Sequence, residues 1–114
     1  MKKFEFIDYK TDVEIAGNTF KMDVSTETGD YIKTLASDMR DMASDLADGK
    51  KSKEEATNLC ASAIDHLLGE GSVSKIFTSR KKNFDDLIDI LMWLMEIVNE
   101  FSAKRRKILD MKGK

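Results

Sequence analysis

Apolar and polar residues alternate along the first 25 residues of the chain, a pattern that is typical of β-strands with one buried face. The alternating apolar positions fall into three runs: Phe4 and Phe6; Val13 and Ile15; Phe20, Met22 and Val24. Gly17-Asn18, between the second and third runs, predicts a two-residue hairpin loop, because both residues tolerate positive φ. The pattern therefore indicates a β-hairpin region over residues 1–25, and it leaves open whether Phe4 and Phe6 add a third strand.

The predicted loop also determines which residues of the two strands face each other. Ile15 is expected opposite Phe20 and Val13 opposite Met22, with all four side chains on one face of the hairpin. An isolated hairpin is only marginally stable in water, so we expect this apolar face to dock on the helices that follow.

Apolar residues recur at spacings of three and four over the next segment, which predicts a first helix from about Glu27 to Asp48. Its apolar stripe comprises Tyr31, Leu35, Met39, Met42 and Leu46. Gly49 is a suitable residue to end this helix. A second stripe is acidic and comprises Asp38, Asp41, Asp45 and Asp48. It fits a solvated face, and a surface for a basic partner is the alternative.

Ser52 and Glu55 form a capping box, which predicts the start of a second helix. The apolar stripe of that helix comprises Ala56, Leu59, Cys60, Ala63, Ile64, Leu67 and Leu68. A glycine-rich phrase, Gly69-Glu70-Gly71-Ser72, follows it and has two interpretations. In the first, the glycines end the helix and Ser72 caps a short helical turn over about residues 73–79. In the second, the phrase is a hinge or docking corner that presents Phe77.

Asn83 can cap the last and longest helix, which we predict from about Phe84 to Asp110. Its central apolar stripe comprises Leu87, Leu91, Leu94, Val98 and Phe101, and further apolar residues flank the stripe on both sides. Together they cover an arc of roughly 260°, against ~100° or more for an ordinary surface helix. Such a helix is either buried inside the fold or shared with a partner protein.

These elements predict an α+β fold that is mostly α, with an N-terminal β-hairpin packed on three to four helices and a long C-terminal helix. A chain of 114 residues fits a single domain, residues 1–114. Within it we expect the hairpin region over residues 1–25, a helical region over residues 26–110 and a basic tail over residues 111–114.

The charge of the chain is unevenly distributed. Residues 104–114 carry six basic side chains and one acidic side chain, a net of +5, so residues 1–103 carry −7 of the total net charge of −2. A single cysteine cannot form an internal disulfide and favours a reducing compartment. No stretch approaches the roughly 18 apolar residues of a membrane span. A cytoplasmic protein that does not enter the membrane is therefore expected.

Residues that could support catalysis are few. His66 lies six positions after Cys60, about 240° away around a helix, so the two side chains do not converge on a metal. Asp85, Asp86 and Asp89 lie at a predicted helix start, where carboxylates favour the helix dipole. The chain contains no phosphate-binding, zinc-protease or paired-cysteine motif. We predict no enzymatic activity, no cofactor and no metal site.

The order of the elements and a group of short motifs resemble a family of small proteins from the tail modules of phages and prophages of Gram-positive bacteria. The motifs are residues 64–72 (Ile-Asp-His-Leu-Leu-Gly-Glu-Gly-Ser), Ile76-Phe77 and Asn83. In that family a glycine follows the Ile-Phe pair and an aromatic residue precedes Gly-Glu-Gly. This chain has Thr78 and Leu68 at those positions.

The members of that family are regarded as tail assembly chaperones. The resemblance implies a non-catalytic protein that binds the tape measure protein, a long and largely helical polypeptide, and keeps it soluble while tail tube subunits polymerise around it. It implies the host cytoplasm as the location and absence from the finished virion. Possible partners are thus the tape measure protein, the tail tube protein and further copies of this chain.

Helix geometry, rather than the resemblance, indicates which residues meet a partner. For apolar contacts we predict Phe77, Met92, Trp93 and Met95, and for electrostatic contacts Lys104, Arg105, Arg106 and Lys107. Two other functions remain open. One is a helical adaptor or regulator outside phage biology. The other is a nucleic-acid-binding factor that uses the basic C-terminus, although the acidic body opposes the approach of phosphates.

Overall fold

The computed structural model describes the backbone of residues 1–112 and the side chains of all of these except 106 and 108–112. The elements, in chain order, are β1 (Lys10–Ile15), β2 (Asn18–Asp23), α1 (Thr26–Ala47), α2 (Lys53–Leu68), α3 (Ser72–Ile76) and α4 (Phe84–Lys112). This architecture confirms the predicted α+β, mostly α fold, with an N-terminal hairpin packed on four helices. Helix α4 extends into the predicted basic tail, of which residues 113 and 114 lie outside the described part.

The hairpin forms with its apolar face as predicted, but the predicted pairing is wrong by two positions. Val13 lies opposite Phe20, and Ile15 lies opposite Asn18. The loop residues are Ala16 and Gly17, both with positive φ (52° and 81°), which is the backbone of a tight turn that matches strand twist. Because the shift is two residues, the same side chains still point at the helices.

Asn18, which was predicted in the loop, is the first residue of β2, and its side chain forms hydrogen bonds there. Its Nδ2 group donates to the carbonyl of Lys75 at 3.2 Å and to the carbonyl of Ala16 at 3.3 Å. The first of these bonds ties the turn of the hairpin to the end of α3. This long-range contact is consistent with the observed register, in which Asn18 belongs to β2 rather than to the loop.

Phe4 and Phe6 do not form the third strand that their alternation suggested. Within the described residues the sheet has two strands, and residues 1–9 contain no strand, helix or turn. A single bond, from the Val24 amide to the Tyr9 carbonyl (2.8 Å), extends the ladder one step beyond β1. β2 then gives way to α1, so the segment before Tyr9 has no strand beside it.

The core lies between α2 and α4, with α1 and the hairpin closing it on the remaining sides. Helix α1 contributes Ile32, Leu35 and Met42 as its buried apolar residues, whereas Tyr31 is only half-buried. Gly29 allows α1 to approach α4 closely, because a Cβ atom at this position would come within 2.9 Å of Ser102 Oγ.

None of the described helices is long and apolar enough to cross a membrane.

The phrase after α2 is a joint between two helices, as the first interpretation of the sequence proposed. Gly69 ends α2, and Gly71 adopts the left-handed conformation (φ 85°) just before α3. Ser72 does not cap α3, contrary to the prediction: it is buried, and its hydroxyl donates to the Gly69 carbonyl at 2.6 Å. Instead, Asp65 of α2 accepts a hydrogen bond from the Val73 amide at 2.9 Å and supplies the cap across the turn.

The predicted starts of α2 and α4 are confirmed by their hydrogen bonds. The Glu55 amide donates to Ser52 Oγ at 3.1 Å. The Asp86 amide donates to Asn83 Oδ1 at 2.9 Å, while Asn83 Nδ2 donates to Asp86 Oδ2 at 2.7 Å. Arg80 adds an ion pair with the same carboxylate at 2.6 Å. These hydrogen bonds and this ion pair therefore fix the residue at which α4, the longest helix, begins.

Candidate functional site

One face of α4 is the centre of the core. Leu87, Leu91, Leu94 and Val98 are each completely buried, and their spacings of four, three and four residues keep them on one side of the helix. Helices α1 and α2 pack against this side. The broad apolar arc predicted from the sequence therefore consists of this buried inner face and of further apolar residues outside it.

The rest of α4 includes an exposed surface that we call the outer face of α4. Its residues line a shallow groove and are Asp89, Met92, Trp93, Met95, Glu96, Asn99, Glu100 and Ala103. Met92 is 59% exposed and Trp93 is 42% exposed, whereas Met95 is half-buried. These are the three α4 residues predicted for apolar contact, and the structure brings them to one surface.

The outer face of α4 is acidic along its middle, with Met92 on one side of the acidic stripe and Trp93 on the other. The acidic side chains are those of Asp89, Glu96 and Glu100, all of which are exposed. The charge also changes sign along the helix: residues 84–100 contain five acidic and no basic residues, and residues 101–112 contain five basic and one acidic residue. A partner that lies along this helix would therefore meet negative charge over one half and positive charge over the other.

Phe77 lies in a neighbouring groove rather than on the outer face of α4. It ends α3 and is half-buried, and the groove also contains Ile15 of the hairpin and Ile90 of α4. Asp89 lines both grooves, so the two surfaces adjoin at this carboxylate. The structure thus places Phe77 beside the predicted α4 residues but separates it from them by a charged side chain.

The four basic residues predicted for electrostatic contact have different surroundings. Lys104 and Lys107 are exposed, and the Lys104 ammonium lies 5.7 Å from the centroid of the Phe101 ring. The side chain of Arg106 lies outside the described part of the structure. Arg105 is turned toward its own chain, so it differs from the two lysines.

Arg105 joins the end of α4 to the junction between the hairpin and α1. Its guanidinium donates to the Val24 carbonyl at 3.2 Å and to Thr26 Oγ1 at 3.1 Å, and it lies 5.0 Å from the centroid of the Tyr9 ring. Sequence reasoning missed this role. The signal was present, because Arg105 continues the three-and-four spacing that runs through Val98 and Phe101 and so faces the core.

Tyr31, Cys60 and His66 lie away from the two grooves on α4. His66 is exposed and stacks on Tyr31, with ring centroids 4.1 Å apart. Burial and the nearby Asp38 raise the pKa of Tyr31. Cys60 is fully buried, and burial raises the pKa of its thiol, which makes it less reactive. Among the described residues, no cluster of three or more His, Cys, Asp or Glu side chains has the geometry of a metal site.

Comparison with known proteins places the chain in a family but does not give a function. No curated protein and no solved structure matches the sequence significantly. One family model matches residues 11–112, which covers both strands and all four helices with only Lys10 of β1 outside the match. The chain therefore belongs to DUF6673, a family of unknown function.

Proposed function

We propose that this protein is a non-catalytic tail assembly chaperone that binds the tape measure protein in the host cytoplasm and keeps it soluble. The client surface in this proposal is the outer face of α4. The observation that carries the proposal is the exposure of Met92 and Trp93 beside a completely buried stripe on the same helix. From residue 10 onward, these are the two large apolar side chains that are exposed in the described part of the chain.

An exposed tryptophan next to an exposed methionine suits recognition of a varied apolar partner. Tryptophan is enriched among residues that dominate binding energies. Methionine is flexible and polarisable, and so it can repack against different side chains. An amphipathic helix would place apolar residues against Met92 and Trp93 and basic residues over the carboxylates between them, as in other complexes in which a helix occupies a groove. A long, largely helical client such as a tape measure protein offers many such segments.

The charges of α4 indicate which charges the client segment should carry along its length. Basic residues of the client would meet Asp89, Glu96 and Glu100, and acidic residues would meet Lys104 and Lys107. The client helix would therefore carry its basic residues over the N-terminal half of α4 and its acidic residues over the C-terminal half. Complementary charges of this kind steer association and fix orientation more than they add affinity.

The test is co-expression with a tape measure protein encoded beside this chain. The wild-type chain should raise the soluble yield of the tape measure protein and co-purify with it. Trp93→Glu should abolish both effects while the far-ultraviolet circular dichroism spectrum stays helical. Lys33→Glu is the matched control, because Lys33 is exposed on α1 and the substitution also adds negative charge.

Two outcomes would refute the proposal. If the wild-type chain neither changes solubility nor co-purifies, the tape measure protein is not its client. If Trp93→Glu binds as well as Lys33→Glu does, the outer face of α4 is not the client surface. Loss of helical signal in Trp93→Glu would show that Trp93 belongs to the core, and the milder Met92→Glu, at a more exposed position, then serves as the test variant.

A further inference from the structure

The segment before the hairpin, residues 1–9, is an apolar arm that packs against almost nothing. Phe4 is 80% exposed, Phe6 is 93% exposed and Ile7 is 71% exposed. The two phenylalanine rings contact each other edge to face, with centroids 5.1 Å apart. Large apolar side chains clustered in one exposed segment mark an interaction site rather than ordinary surface.

The base of the arm is held in strand geometry at one point. The Val24 amide binds the Tyr9 carbonyl, which carries the β1–β2 ladder one step into the arm. The guanidinium of Arg105 lies over the Tyr9 ring on the same stretch. Residues 1–8 continue past the end of β2 with free backbone donors and acceptors, and such a strand is a template for pairing with another chain.

We propose that the arms of two copies of this chain pair with each other as antiparallel strands and join the copies into a dimer. The pairing places residue 2 opposite residue 8 of the second copy, 4 opposite 6, and 5 opposite 5. The same surface of each copy is used twice, as a two-fold symmetric interface requires. This inference concerns the arm alone and does not depend on the function proposed for α4.

The sequence of the arm complements itself in this register. On one face, Lys2 meets Asp8 of the second copy at each end, and Phe4 meets Phe6 of the second copy between them. Cross-strand aromatic pairs and opposite-charge pairs are the pairs that stabilise sheets. The face thus consists of four phenylalanine rings between two ion pairs.

The opposite face of the paired arms is compatible with this register. Met1 meets Tyr9 of the second copy, which adds an apolar contact at each end. At the centre, Glu5 meets Glu5 of the second copy, which is repulsive. Lys3 offsets this repulsion, because its ammonium already lies 3.9 Å from the Glu5 carboxylate in a single chain. Shifting the register two residues toward β1 places Lys2 opposite Lys10 and Asp8 opposite Phe4, and both pairs are unfavourable; shifting it two residues the other way places Lys2 opposite Phe6, so both Lys2–Asp8 pairs are lost.

The dimer should dissociate on dilution. Two short strands bury less surface than the ~1,200–2,000 Å² of a stable complex, so we expect a dissociation constant in the micromolar range or weaker. Sedimentation of the full chain should show a monomer at about 1 µM and a dimer that grows toward about 1 mM. A monomer throughout this range would overturn the proposal.

Charge reversal tests the register. Lys2→Asp should raise the dissociation constant about tenfold, because two attractive pairs become repulsive. The double variant Lys2→Asp with Asp8→Lys restores both pairs and should return the constant to near the wild-type value. Failure of the double variant to recover would overturn the pairing. The Lys33→Glu control should dimerise like the wild type.

Cysteine cross-linking tests the two-fold axis. Glu5→Cys should form a disulfide-linked dimer with itself under mild oxidation, because residue 5 faces residue 5 at a Cβ separation of about 4.5–5.5 Å. Lys2→Cys should not, because the two copies of residue 2 lie roughly 20 Å apart. Equal cross-linking of the two variants would contradict the register. The native Cys60 is fully buried and should not interfere.

Removing the phenylalanines distinguishes the arm from α4 as the interface. Phe4→Ser with Phe6→Ser should give a monomer with an unchanged circular dichroism spectrum, since neither side chain belongs to the core. Trp93→Glu should leave the dimer intact. If the phenylalanine variant still dimerises and Trp93→Glu does not, the copies associate through α4 and the arm proposal is wrong, whereas the client-binding proposal is then tested separately by co-purification.

Discussion

Substitution of Asp65 by alanine should destabilise the protein more than its position on a helix surface would suggest. Its carboxylate accepts the Val73 amide at 2.9 Å and is the cap of α3. The other acidic residue of the same motif, Glu70, is exposed. The two residues therefore form a matched pair, in which one carboxylate supports the joint and the other is dispensable.

The magnitude follows from the burial of the group that loses its partner. Val73 is 6% exposed, so its amide would be left largely without an acceptor. An unsatisfied buried donor costs about 1–3 kcal/mol, and loss of an N-cap costs about 0.5–2 kcal/mol. Both figures describe the same hydrogen bond, so the free energy of unfolding should fall by about 1–2 kcal/mol, or about 4–10 °C in Tm for a chain of this size.

The loss should extend to the hairpin, because α3 provides the carbonyl of Lys75 that binds Asn18. Urea denaturation at neutral pH, followed by circular dichroism, gives the free energies for Asp65→Ala, Asp65→Asn and Glu70→Ala. We expect Asp65→Asn to lose about half as much as Asp65→Ala, since the amide oxygen still accepts. If Asp65→Ala lies within about 0.3 kcal/mol of Glu70→Ala, the capping argument is wrong.

Two further predictions concern the links between the hairpin and the helices. Burial by itself would raise the pKa of Asp23, but hydrogen bonds from Ser25 and Thr28 outweigh it and hold that pKa below its ordinary value of 3.8. The Asp23 carboxylate therefore stabilises the fold fully above that value, so Asp23→Asn should lose about 0.5–1 kcal/mol at pH 7, since a neutral amide oxygen accepts the same hydrogen bonds more weakly and solvent screens the charge. The difference from the wild type should shrink as the pH falls through and below 3.8; a difference that stays constant in urea titrations across this range would contradict the assignment. Arg105→Ala should cost about 1–2 kcal/mol, because it removes two hydrogen bonds from a charged donor and the contact with Tyr9. Arg105→Lys should recover less than half of that loss in the same assay, since lysine lacks the planar fork; full recovery would mean that charge alone matters.

The elements of the fold were predictable because their signals are local. The capping residues Ser52 and Asn83 both act as predicted, and Gly49 follows the end of α1 in the left-handed conformation (φ 73°). Each of these depends on residues within four positions, where periodicity and capping chemistry decide the outcome. The apolar face of the hairpin was predictable for the same reason.

The errors arise where distant residues meet. The hairpin loop is Ala16-Gly17 rather than Gly17-Asn18: the apolar face permits either register, and in the observed one Asn18 binds the end of α3. Ala16 also adopts a positive φ, which is uncommon for a residue other than glycine. The cap of α3 comes from Asp65, eight positions earlier, rather than from Ser72. Neither the position of the loop nor the cap of α3 can be predicted from the residue pattern of a single element.

The candidate site was predictable only in part. The sequence indicates that α4 has more apolar surface than a small fold can cover, but which side stays exposed depends on how α1 and α2 pack against it. Met92 and Trp93 lie on the exposed side, and Ile88 and Ile97 are half-buried. Arg105 was assigned to partner contact because of its charge, although its position continues the buried stripe.

The central claim is that the outer face of α4 binds a client, and the fluorescence of Trp93 tests it most directly. The chain contains one tryptophan, so its emission reports on this surface alone. Titration with amphipathic helical segments of the tape measure protein that contain no tryptophan should shift the emission to shorter wavelength and reduce quenching by acrylamide, as Trp93 becomes buried. If the client binds while the emission and the quenching of Trp93 remain unchanged, this face is not the binding surface.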